Sequence, residues 1–226
     1  MSLPASTLGR RVASEAIGTA LLLAGVVGSG IMAERLSGGN AGLALLANAI
    51  ATGGVLFAII VAFGPISGAH FNPVVTVALA WRGLGARRDV IPYLVAQCTG
   101  AIVGVWLAHV MFALPILQAS TRVRSGIGQW SAEIVATFGL VLLILLGARR
   151  ERPSLPAAVA VYIVGAYWFT ASTSFANPAV TIARALSDTF AGIAPADAPA
   201  FIAAQCIGAG LATLAARFLD GRQDPN

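Results

Sequence analysis

Two asparagine–proline pairs are the residues of this sequence best placed to do chemistry. Asn72-Pro73 and Asn177-Pro178 each open a short apolar segment. Asparagine is a favoured helix N-cap, and proline suits the first helical position because its missing N–H would be unpaired there. Each asparagine also carries side-chain N–H donors that can bind an acceptor oxygen of a solute. One such pair is common in loops, but two copies in matched surroundings indicate a solute-binding function.

The rest of the sequence contains few residues that could catalyse a reaction or bind a metal. Only two His and two Cys are present, and no cluster of His, Cys or carboxylates stands at metal-ligand spacing. We therefore predict that the protein is not an enzyme and holds no cofactor or metal. The net charge is +5, but the 14 basic residues are all Arg and fall in short clusters between apolar runs. This dispersal argues against a nucleic-acid partner.

Composition predicts that the chain lies in a lipid bilayer. Of its 226 residues, 58% are hydrophobic and only 10% are charged, which is too little polar surface for a soluble domain of this size. Two apolar segments, 72–81 and 177–186, have only about 10 residues and are expected to enter the membrane without crossing it. Six longer runs have roughly 18–23 residues each, enough to span it, and the first is too long for a cleavable signal peptide. These runs are 12–33, 41–63, 90–112, 129–148, 155–172 and 198–219.

The arginines predict the orientation of these spans. Six crossings leave both termini on one side of the membrane, and the more basic side faces the cytoplasm. We therefore expect a multi-pass protein of the cell inner membrane with both termini cytoplasmic. Ten arginines fall on the side of the termini, namely Arg10, Arg11, Arg82, Arg87, Arg88, Arg149, Arg150, Arg152, Arg217 and Arg222. Four fall on the other side, namely Arg35, Arg122, Arg124 and Arg184.

An internal repeat divides the sequence into two similar halves. Three segments recur in the same order, at offsets of 118, 105 and 108 residues: 15–19 with 133–137, 71–76 with 176–181, and 93–100 with 201–208. Because each half holds three spans, the second copy must be inverted in the membrane. We predict one all-α domain over residues 1–226, with repeats at about 10–112 and 128–219. The two short segments then enter from opposite faces and meet near the midplane.

This meeting of two helix N-termini favours neutral solutes over cations. Each N-terminus carries roughly half a positive charge, so a dehydrated cation is repelled, whereas a neutral solute accepts hydrogen bonds from Asn72 and Asn177. We expect the residues before each asparagine to be extended, so that their carbonyl groups supply acceptors along the path. These carbonyl ladders are Gly68, Ala69, His70 and Phe71, and Thr173, Ser174, Phe175 and Ala176.

Two carboxylates inside the spans need partners. Glu15 and Glu133 occupy equivalent places in the repeats, and a carboxylate at membrane depth is stable only when paired or hydrogen-bonded. One hypothesis is a proton relay. The other is that each carboxylate accepts hydrogen bonds from a pore loop and braces it, and the duplication favours this second hypothesis. Gln97 and Gln205 are expected to do similar work, and His70 is expected to be a hydrogen-bonded loop residue.

At this point the sequence resembles the aquaporin, or major intrinsic protein, family. Residues 67–76 and 177–180 are similar to the paired signature of that family, and the resemblance covers about 10–219. It implies six transmembrane helices plus two re-entrant half-helices, a homotetramer with one pore per subunit, and passive diffusion. The pore motifs it implies are Asn72, Pro73 and Val74, and Asn177, Pro178 and Ala179.

Two departures from the family signature bear on selectivity. Val74 replaces the usual Ala, and Val180 stands where most members have an Arg that forms one wall of the outer constriction. Family spacing places the other constriction positions at Thr52, Gly165 and Ser174, none of which is aromatic or charged. The resemblance therefore predicts a wide, mildly polar filter, as in bacterial aquaglyceroporin-like members with Val in place of this Arg, a group linked with arsenic handling.

Two residues near this filter are also unusual. Phe175 occupies a place where Gly is common in the family and is expected to alter the course of its loop. Arg184 follows Val180 by one helical turn and is either a positive charge in the outer vestibule or a simple helix-end charge, of which the second is favoured.

The sequence as a whole predicts a passive channel for small neutral solutes. Glycerol, arsenous acid, related metalloid hydroxides and undissociated methylated arsenicals fit the expected width, and water is also expected to pass. A water-selective aquaporin is the alternative. A secondary transporter also contains inverted repeats with broken helices, but it needs coupling ions, for which the sequence offers little.

Overall fold

A computed structural model describes residues 6–150 and 152–220 of the chain. Within these residues all regular structure is helical, which confirms the predicted fold class. A single 3-10 turn, Arg87–Asp89, precedes the fourth α-helix. The α-helices are α1 Leu8–Leu36, α2 Ala41–Ser67, α3 Pro73–Trp81, α4 Val90–Met111, α5 Ile127–Arg149, α6 Leu155–Phe169, α7 Pro178–Arg184 and α8 Ala198–Leu219.

Helix length separates the spanning helices from the two short ones. Helices α1, α2, α4, α5 and α8 are long and apolar enough to cross a membrane. Helix α6 has 15 residues, a length of about 22 Å, and ends three residues before the predicted bound of 172. The helix ends there because Thr170 adopts an extended backbone. The Thr170 hydroxyl donates to the carbonyl oxygen of Ala166 in the last turn.

The two short helices, α3 and α7, begin as the asparagine–proline pairs indicate. Asn72 Oδ1 accepts from the N–H of Val74 at 3.1 Å, and Asn177 Oδ1 accepts from the N–H of Ala179 at 3.0 Å. A proline follows each cap at the first helical position, where no donor is lost. Helix α7 is shorter than the predicted segment 177–186 and ends at Arg184.

Close helix contacts recur at equivalent places in the two repeats. Helix α1 packs against α4 in the first repeat, and α5 packs against α8 in the second. A Cβ atom at Gly100 would collide with the carbonyl oxygen of Ala16, and one at Gly208 would collide with that of Ile134. Glycine at both positions therefore lets the backbones of paired helices touch, as small residues do in membrane proteins.

Ion pairs bring both ends of the described chain to one side of the bundle. Arg11 at the start of α1 lies 2.8 Å from Asp89, in the connection between α3 and α4. Asp220, after α8, lies 3.0 Å from Arg82 and 3.5 Å from Arg149. An even number of crossings requires this common side. Arg222 lies outside the described residues.

The outer surface of the bundle is apolar. Ile91, Val161, Leu214 and Phe218 each expose 63% or more of their surface. So many exposed large apolar side chains would be a liability in water, but they match the hydrocarbon of a bilayer. The fold is that of a multi-pass membrane protein.

Candidate functional site

The two asparagines form a reciprocal bridge between the repeats. Asn72 Nδ2 donates to the carbonyl oxygen of Ala176 at 2.7 Å, and Asn177 Nδ2 donates to that of Phe71 at 2.8 Å. Each amide oxygen caps its own half-helix. Each NH₂ group has two N–H donors and uses one in the bridge, so one N–H of each amide is left for another partner. Both side chains line a cavity, and this remaining donor is therefore available to a solute.

This cavity, which we call the lumen, runs along the asparagines with a volume of about 110 Å³. A cavity needs about 10–15 Å³ by this measure to hold one water molecule, so the lumen has room for several waters or a small solute. A second cavity of about 150 Å³ shares Gly68 and His70 with it and opens beside Arg11, Asp89 and Tyr93. Together the two cavities trace a path from the inner part of the bundle to the side that carries both termini. The polar residues of the lumen are Thr52, His70, Asn72, Tyr167, Ser174, Asn177 and Arg184.

The backbone before each asparagine is kinked, and the expectation of extended loops was wrong. Ala69 and Phe71 have φ values of 52° and 49°, and Thr173, Ser174 and Ala176 have φ values of 61°, 50° and 48°. These are left-handed conformations, which cost a residue other than glycine about 1–2 kcal/mol. Such strain persists only where surrounding contacts impose it, and these loops are fixed by hydrogen bonds from within the bundle.

The carbonyl groups of these loops fall into two sets. The oxygens of Phe71 and Ala176 accept from the asparagine amides and are not free acceptors, contrary to the expected ladders. The other carbonyl oxygens accept no hydrogen bond from the described part of the chain and remain available to water or a solute. They belong to Gly68, Ala69 and His70 in the first loop, and to Thr173, Ser174 and Phe175 in the second.

The first loop is fixed by Glu15. One carboxylate oxygen accepts from the N–H of His70 at 3.0 Å, and the other accepts from the N–H of Phe71 at 2.7 Å. Gln97 Nε2 donates to the same carboxylate at 2.8 Å and to Thr76 Oγ1 at 2.9 Å. The loop is thereby tied to both α1 and α4.

Glu133 holds the second loop in the same way. Its oxygens accept from the N–H groups of Phe175 at 2.8 Å and Ala176 at 2.9 Å. Gln205 Nε2 donates to this carboxylate at 2.6 Å and to Thr181 Oγ1 at 2.8 Å. Neither Glu15 nor Glu133 is exposed to solvent or lines the lumen, so the geometry offers no contact between these carboxylates and a permeating proton or ion.

His70 lies where the two cavities meet. Its Nδ1 is 3.1 Å from Thr76 Oγ1, and its ring packs against that of Tyr93 with 5.3 Å between the ring centroids. It is a hydrogen-bonded loop residue that faces the passage.

Three of the four predicted filter residues line the lumen, and one does not. Thr52, Ser174 and Val180 are in its wall, whereas Gly165 is exposed on the opposite face of α6 from Ile163. The assignment of Gly165 was wrong, because two residues of an α-helix turn the side-chain direction by about 200°. The next lumen-facing residue of α6 after Ile163 is Tyr167, and its hydroxyl lies 3.2 Å from Thr52 Oγ1. The wall of the lumen beside Thr52 therefore includes an aromatic residue.

Arg184 also lines the lumen, where it adds a positive charge that the four predicted filter residues do not carry. Its residue surface is 2% exposed, its Nε donates to the carbonyl oxygen of Ala191, and its guanidinium carbon lies 3.4 Å from the centroid of the Phe175 ring. Arg184 is the last residue of α7, as the favoured hypothesis of a helix-end charge expects, and it is also buried in the wall of the lumen. One sequence signal was present, since Arg184 follows Val180 by four residues and shares its helix face.

Phe175 contacts the charged side chains at this end of the lumen. Its ring packs edge-on against Phe201 with 5.2 Å between the ring centroids, and the guanidinium groups of Arg184 and Arg124 both lie near it, the latter 5.1 Å from its centroid. Burial lowers the pKa of Arg124, and the nearby charge of Arg122 lowers it further. An aromatic side chain at position 175 thus provides the face on which Arg184 is held.

Comparison with known proteins gives one family throughout. A family profile described as Major intrinsic protein matches residues 2–170. The chain is 53% identical over 212 residues to Aquaglyceroporin AqpS of Rhizobium meliloti (strain 1021), covering 94% of this chain and 91% of that protein. It is 30% identical over 197 residues to Aquaporin Z of Photorhabdus laumondii, covering 78% and 84% of the two chains. The X-ray structure of the aquaglyceroporin from Plasmodium falciparum shares the fold, with a TM-score of 0.71 and 22% identity over 97% of this chain and 98% of that chain.

Proposed function

Since this chain belongs to the major intrinsic protein family, whose members are channels and not enzymes, we propose that it conducts small neutral polyhydroxylated solutes passively across the membrane. Glycerol, arsenous acid, related metalloid hydroxides and undissociated methylated arsenicals are the proposed substrates, and water passes by the same route.

The observation that carries this proposal is the arrangement of polar groups in an otherwise apolar lumen. Asn72 and Asn177 each offer one amide N–H beside it, and six loop carbonyl groups offer acceptors on the two sides of the asparagine pair. A solute with several hydroxyl groups can both accept from the amides and donate to the carbonyls, which replaces the water it loses on entry. A cation is repelled at the asparagine pair, because the positive ends of two half-helices and two amide donors face it there.

The apolar part of the wall favours solutes that carry carbon or a methyl group. Val180, Ile163 and Leu22 line the lumen together with the polar groups. The carbon atoms of glycerol, or the methyl group of a methylated arsenical, can pack against them while the hydroxyl groups use the polar side. The similarity to a protein named an aquaglyceroporin supports the same solute class.

A water-selective channel is the second candidate. The Tyr167–Thr52 pair and the guanidinium of Arg184 lie in the wall of the outer lumen, where bulk and charge reduce the width available to larger solutes. A proton-coupled transporter is less well supported, because Glu15 and Glu133 are held by the loops and do not line the lumen.

The proposal extends to assembly and orientation. We infer that the protein resides in the cell inner membrane with both termini in the cytoplasm, and that it forms a homotetramer with one lumen in each subunit. The excess of arginine on the side of the termini supports the orientation.

Flux through the purified protein in proteoliposomes tests the function. Stopped-flow light scattering follows vesicle shrinkage and reswelling under gradients of glycerol or arsenous acid, with protein-free liposomes as the control. The proposal expects rapid entry of both solutes with no dependence on a proton gradient. Rapid water flow without entry of either solute would establish the water-selective alternative, and dependence on a proton gradient would indicate a transporter.

A further inference from the structure

A groove on the outer surface of the bundle runs along α3 and α8. It has a volume of about 300 Å³, begins beside Pro73 and Pro178, where the two half-helices start, and extends to Trp81. Apart from the hydroxyl of Thr213, its wall consists of apolar side chains, proline, glycine and the thiol of Cys206. A surface of this kind on a membrane protein faces the hydrocarbon of the bilayer.

A second cavity continues this groove toward the side of the bundle that carries both termini. It has a volume of about 230 Å³ and shares Trp81, Gly210 and Thr213 with the first cavity. Its wall also includes Arg82 and Arg217. We call the two cavities together the α3–α8 groove. This groove is therefore apolar at its inner end and basic at the other.

The α3–α8 groove is as long as one leaflet of a bilayer is thick. From Pro73 to Arg82, at the end of α3, the helix rises by about 14 Å, and from Cys206 to Arg217 α8 rises by about 16 Å. Half of a hydrocarbon core of about 30 Å is about 15 Å. Since the half-helices meet at the asparagine bridge between the repeats, the groove runs from the middle of the bilayer to the level of the lipid headgroups.

The basic end of the groove has more positive charge than the described carboxylate beside it can neutralise. Asp220 lies 3.0 Å from Arg82, but it also lies 3.5 Å from Arg149 and 3.8 Å from Arg150. Arg217 is exposed and makes no hydrogen bond or ion pair with any residue that the structure describes. A phosphate group complements this end, because a guanidinium binds phosphate oxygens through paired N–H donors.

We propose that the α3–α8 groove binds one anionic phospholipid. The phosphate accepts hydrogen bonds from Arg217 and Arg82, and one acyl chain lies along the groove toward Pro178. Trp81, which is 68% exposed, packs against the lipid near the headgroup, the level at which tryptophan is enriched in membrane proteins. A phospholipid is the occupant because a phosphate joined to a long apolar chain matches both ends of the groove. This inference does not depend on which solute the lumen conducts.

Quenching of Trp81 fluorescence by brominated lipids tests the site. The parent protein keeps Trp81 and replaces the other three tryptophans by Trp106→Phe, Trp130→Phe and Trp168→Phe. It is reconstituted in phosphatidylcholine vesicles that contain increasing fractions of brominated phosphatidylglycerol, which is anionic, or of brominated phosphatidylcholine, which is not. Bromine quenches tryptophan at short range, so the two quenching curves give the relative affinity of the groove for the two lipids.

Two variants separate the headgroup contact from the chain contact. Arg217→Gln removes the exposed charge, and Arg87→Gln is its control, since Arg87 is also exposed on this side but does not line the groove. Gly210→Leu fills the groove, because nothing lies within 4 Å of a Cβ atom at that residue. Ala203→Leu is its control, since Ala203 is exposed on α8 outside the groove.

The expected result is a preference for the anionic lipid that depends on Arg217. Phosphatidylglycerol should bind about fivefold or more tightly than phosphatidylcholine, and Arg217→Gln should remove most of this preference, because one arginine at an anionic headgroup contributes about fivefold. High salt should weaken the preference in the parent. Gly210→Leu should reduce quenching by both lipids. Arg87→Gln and Ala203→Leu should behave as the parent does.

Three outcomes would overturn the site. Equal quenching by the two lipids in the parent would show no anionic preference, and equal losses in Arg217→Gln and Arg87→Gln would show only a general attraction to the basic surface. Absence of quenching by either lipid would show that a second copy of the chain covers the groove. If the protein with one tryptophan does not fold, native mass spectrometry of the unmodified chain decides. Arg217→Gln should then retain one phosphatidylglycerol fewer than Arg87→Gln, and equal retention overturns the site.

Discussion

Each buried glutamate holds one pore loop by its full set of carboxylate oxygens. Both oxygens of Glu15 accept from consecutive loop N–H groups, those of His70 and Phe71, and Glu133 does the same for Phe175 and Ala176. A carboxylate suits this place because it only accepts, and two adjacent backbone donors require two acceptors. The conformation of each pore loop therefore depends on a carboxylate that does not line the lumen.

Glu15→Gln should destabilise the protein. The amide keeps the size of the side chain but has one acceptor oxygen, so its NH₂ group faces a backbone donor. An unsatisfied buried donor costs about 1–3 kcal/mol, and two opposed donors cost more. Thermal unfolding in detergent, followed by intrinsic fluorescence, should show a clear decrease in Tm. The matched control is Glu34→Gln, since Glu34 is half exposed and its ion pair with Arg122 is of the surface kind that contributes little. Equal Tm values for the two variants would contradict the bracing role.

Val180→Arg should narrow the lumen. Val180 is 6% exposed and lines the lumen one turn from Arg184, so a second guanidinium there adds both bulk and charge. We expect glycerol permeability to fall by about tenfold or more, and water permeability to fall much less, because water needs a smaller opening. Val180→Thr keeps the shape of the side chain and should conduct glycerol as wild type does. Unchanged glycerol flux in Val180→Arg would place residue 180 away from the constriction.

Some residues of the site could be predicted from the sequence, and others could not. Asn72, Asn177, Glu15 and Glu133 could be singled out because polar residues recur at equivalent places in two apolar halves. Arg184 could not be placed in the same way, since its burial depends on a loop carbonyl and on an aromatic ring that no local pattern ties to it.

Among the helices, α6 was the hardest to predict from the sequence, because its lumen-facing residues could not be identified. No motif marks the end of this helix, and the loop that follows it contains no glycine to indicate its left-handed residues. Counting back from the asparagine through a kinked loop therefore led to Gly165 rather than Tyr167. The existence of the long helices was readable because apolar length alone identifies a span.

Gly100→Ala should weaken the contact between α1 and α4. A methyl group at residue 100 meets the backbone of Ala16, which cannot move without displacing α1 and the Glu15 carboxylate beside it. Overpacking of this kind costs about 1–3 kcal/mol. Gly54→Ala is the control, because nothing lies near a Cβ there and the helix gains slightly from alanine. The measurement is Tm in detergent, which should fall for the first variant and hold or rise for the second. An unchanged Tm for Gly100→Ala would show that α1 can shift to accommodate the methyl group.

At the scale of the whole molecule, charge and symmetry fix the arrangement. The inverted repeat could be recognised from sequence because three ordered matches at nearly constant offset are hard to explain without duplication. The ion pairs Arg11–Asp89 and Arg82–Asp220 then join segments far apart in sequence on one side of the bundle. These ion pairs are tertiary contacts, and neither composition nor hydrophobic periodicity predicts which charged residues will pair.

Orientation gives a prediction at this scale. A green fluorescent protein fused after residue 226 should fluoresce in cells, because that reporter folds in the cytoplasm and the positive-inside rule places the C-terminus there. The same reporter inserted in the connection between α4 and α5, near Gln118, should stay dark. Fluorescence from the inserted reporter alone would reverse the assigned topology.

The reciprocal bond between each asparagine and the opposite loop has a consequence for ancestry. In an isologous contact, residue i meets residue j and residue j meets residue i, which is what Asn72–Ala176 and Asn177–Phe71 do between the repeats. A forebear encoding one repeat would have made these bonds only as a pair of chains with opposite insertion in the membrane. Val75 and Val180, which occupy equivalent places and both face the passage, preserve the near twofold character of such a pair. The two halves depart from this character at Arg184, whose counterpart in the first half is Leu79.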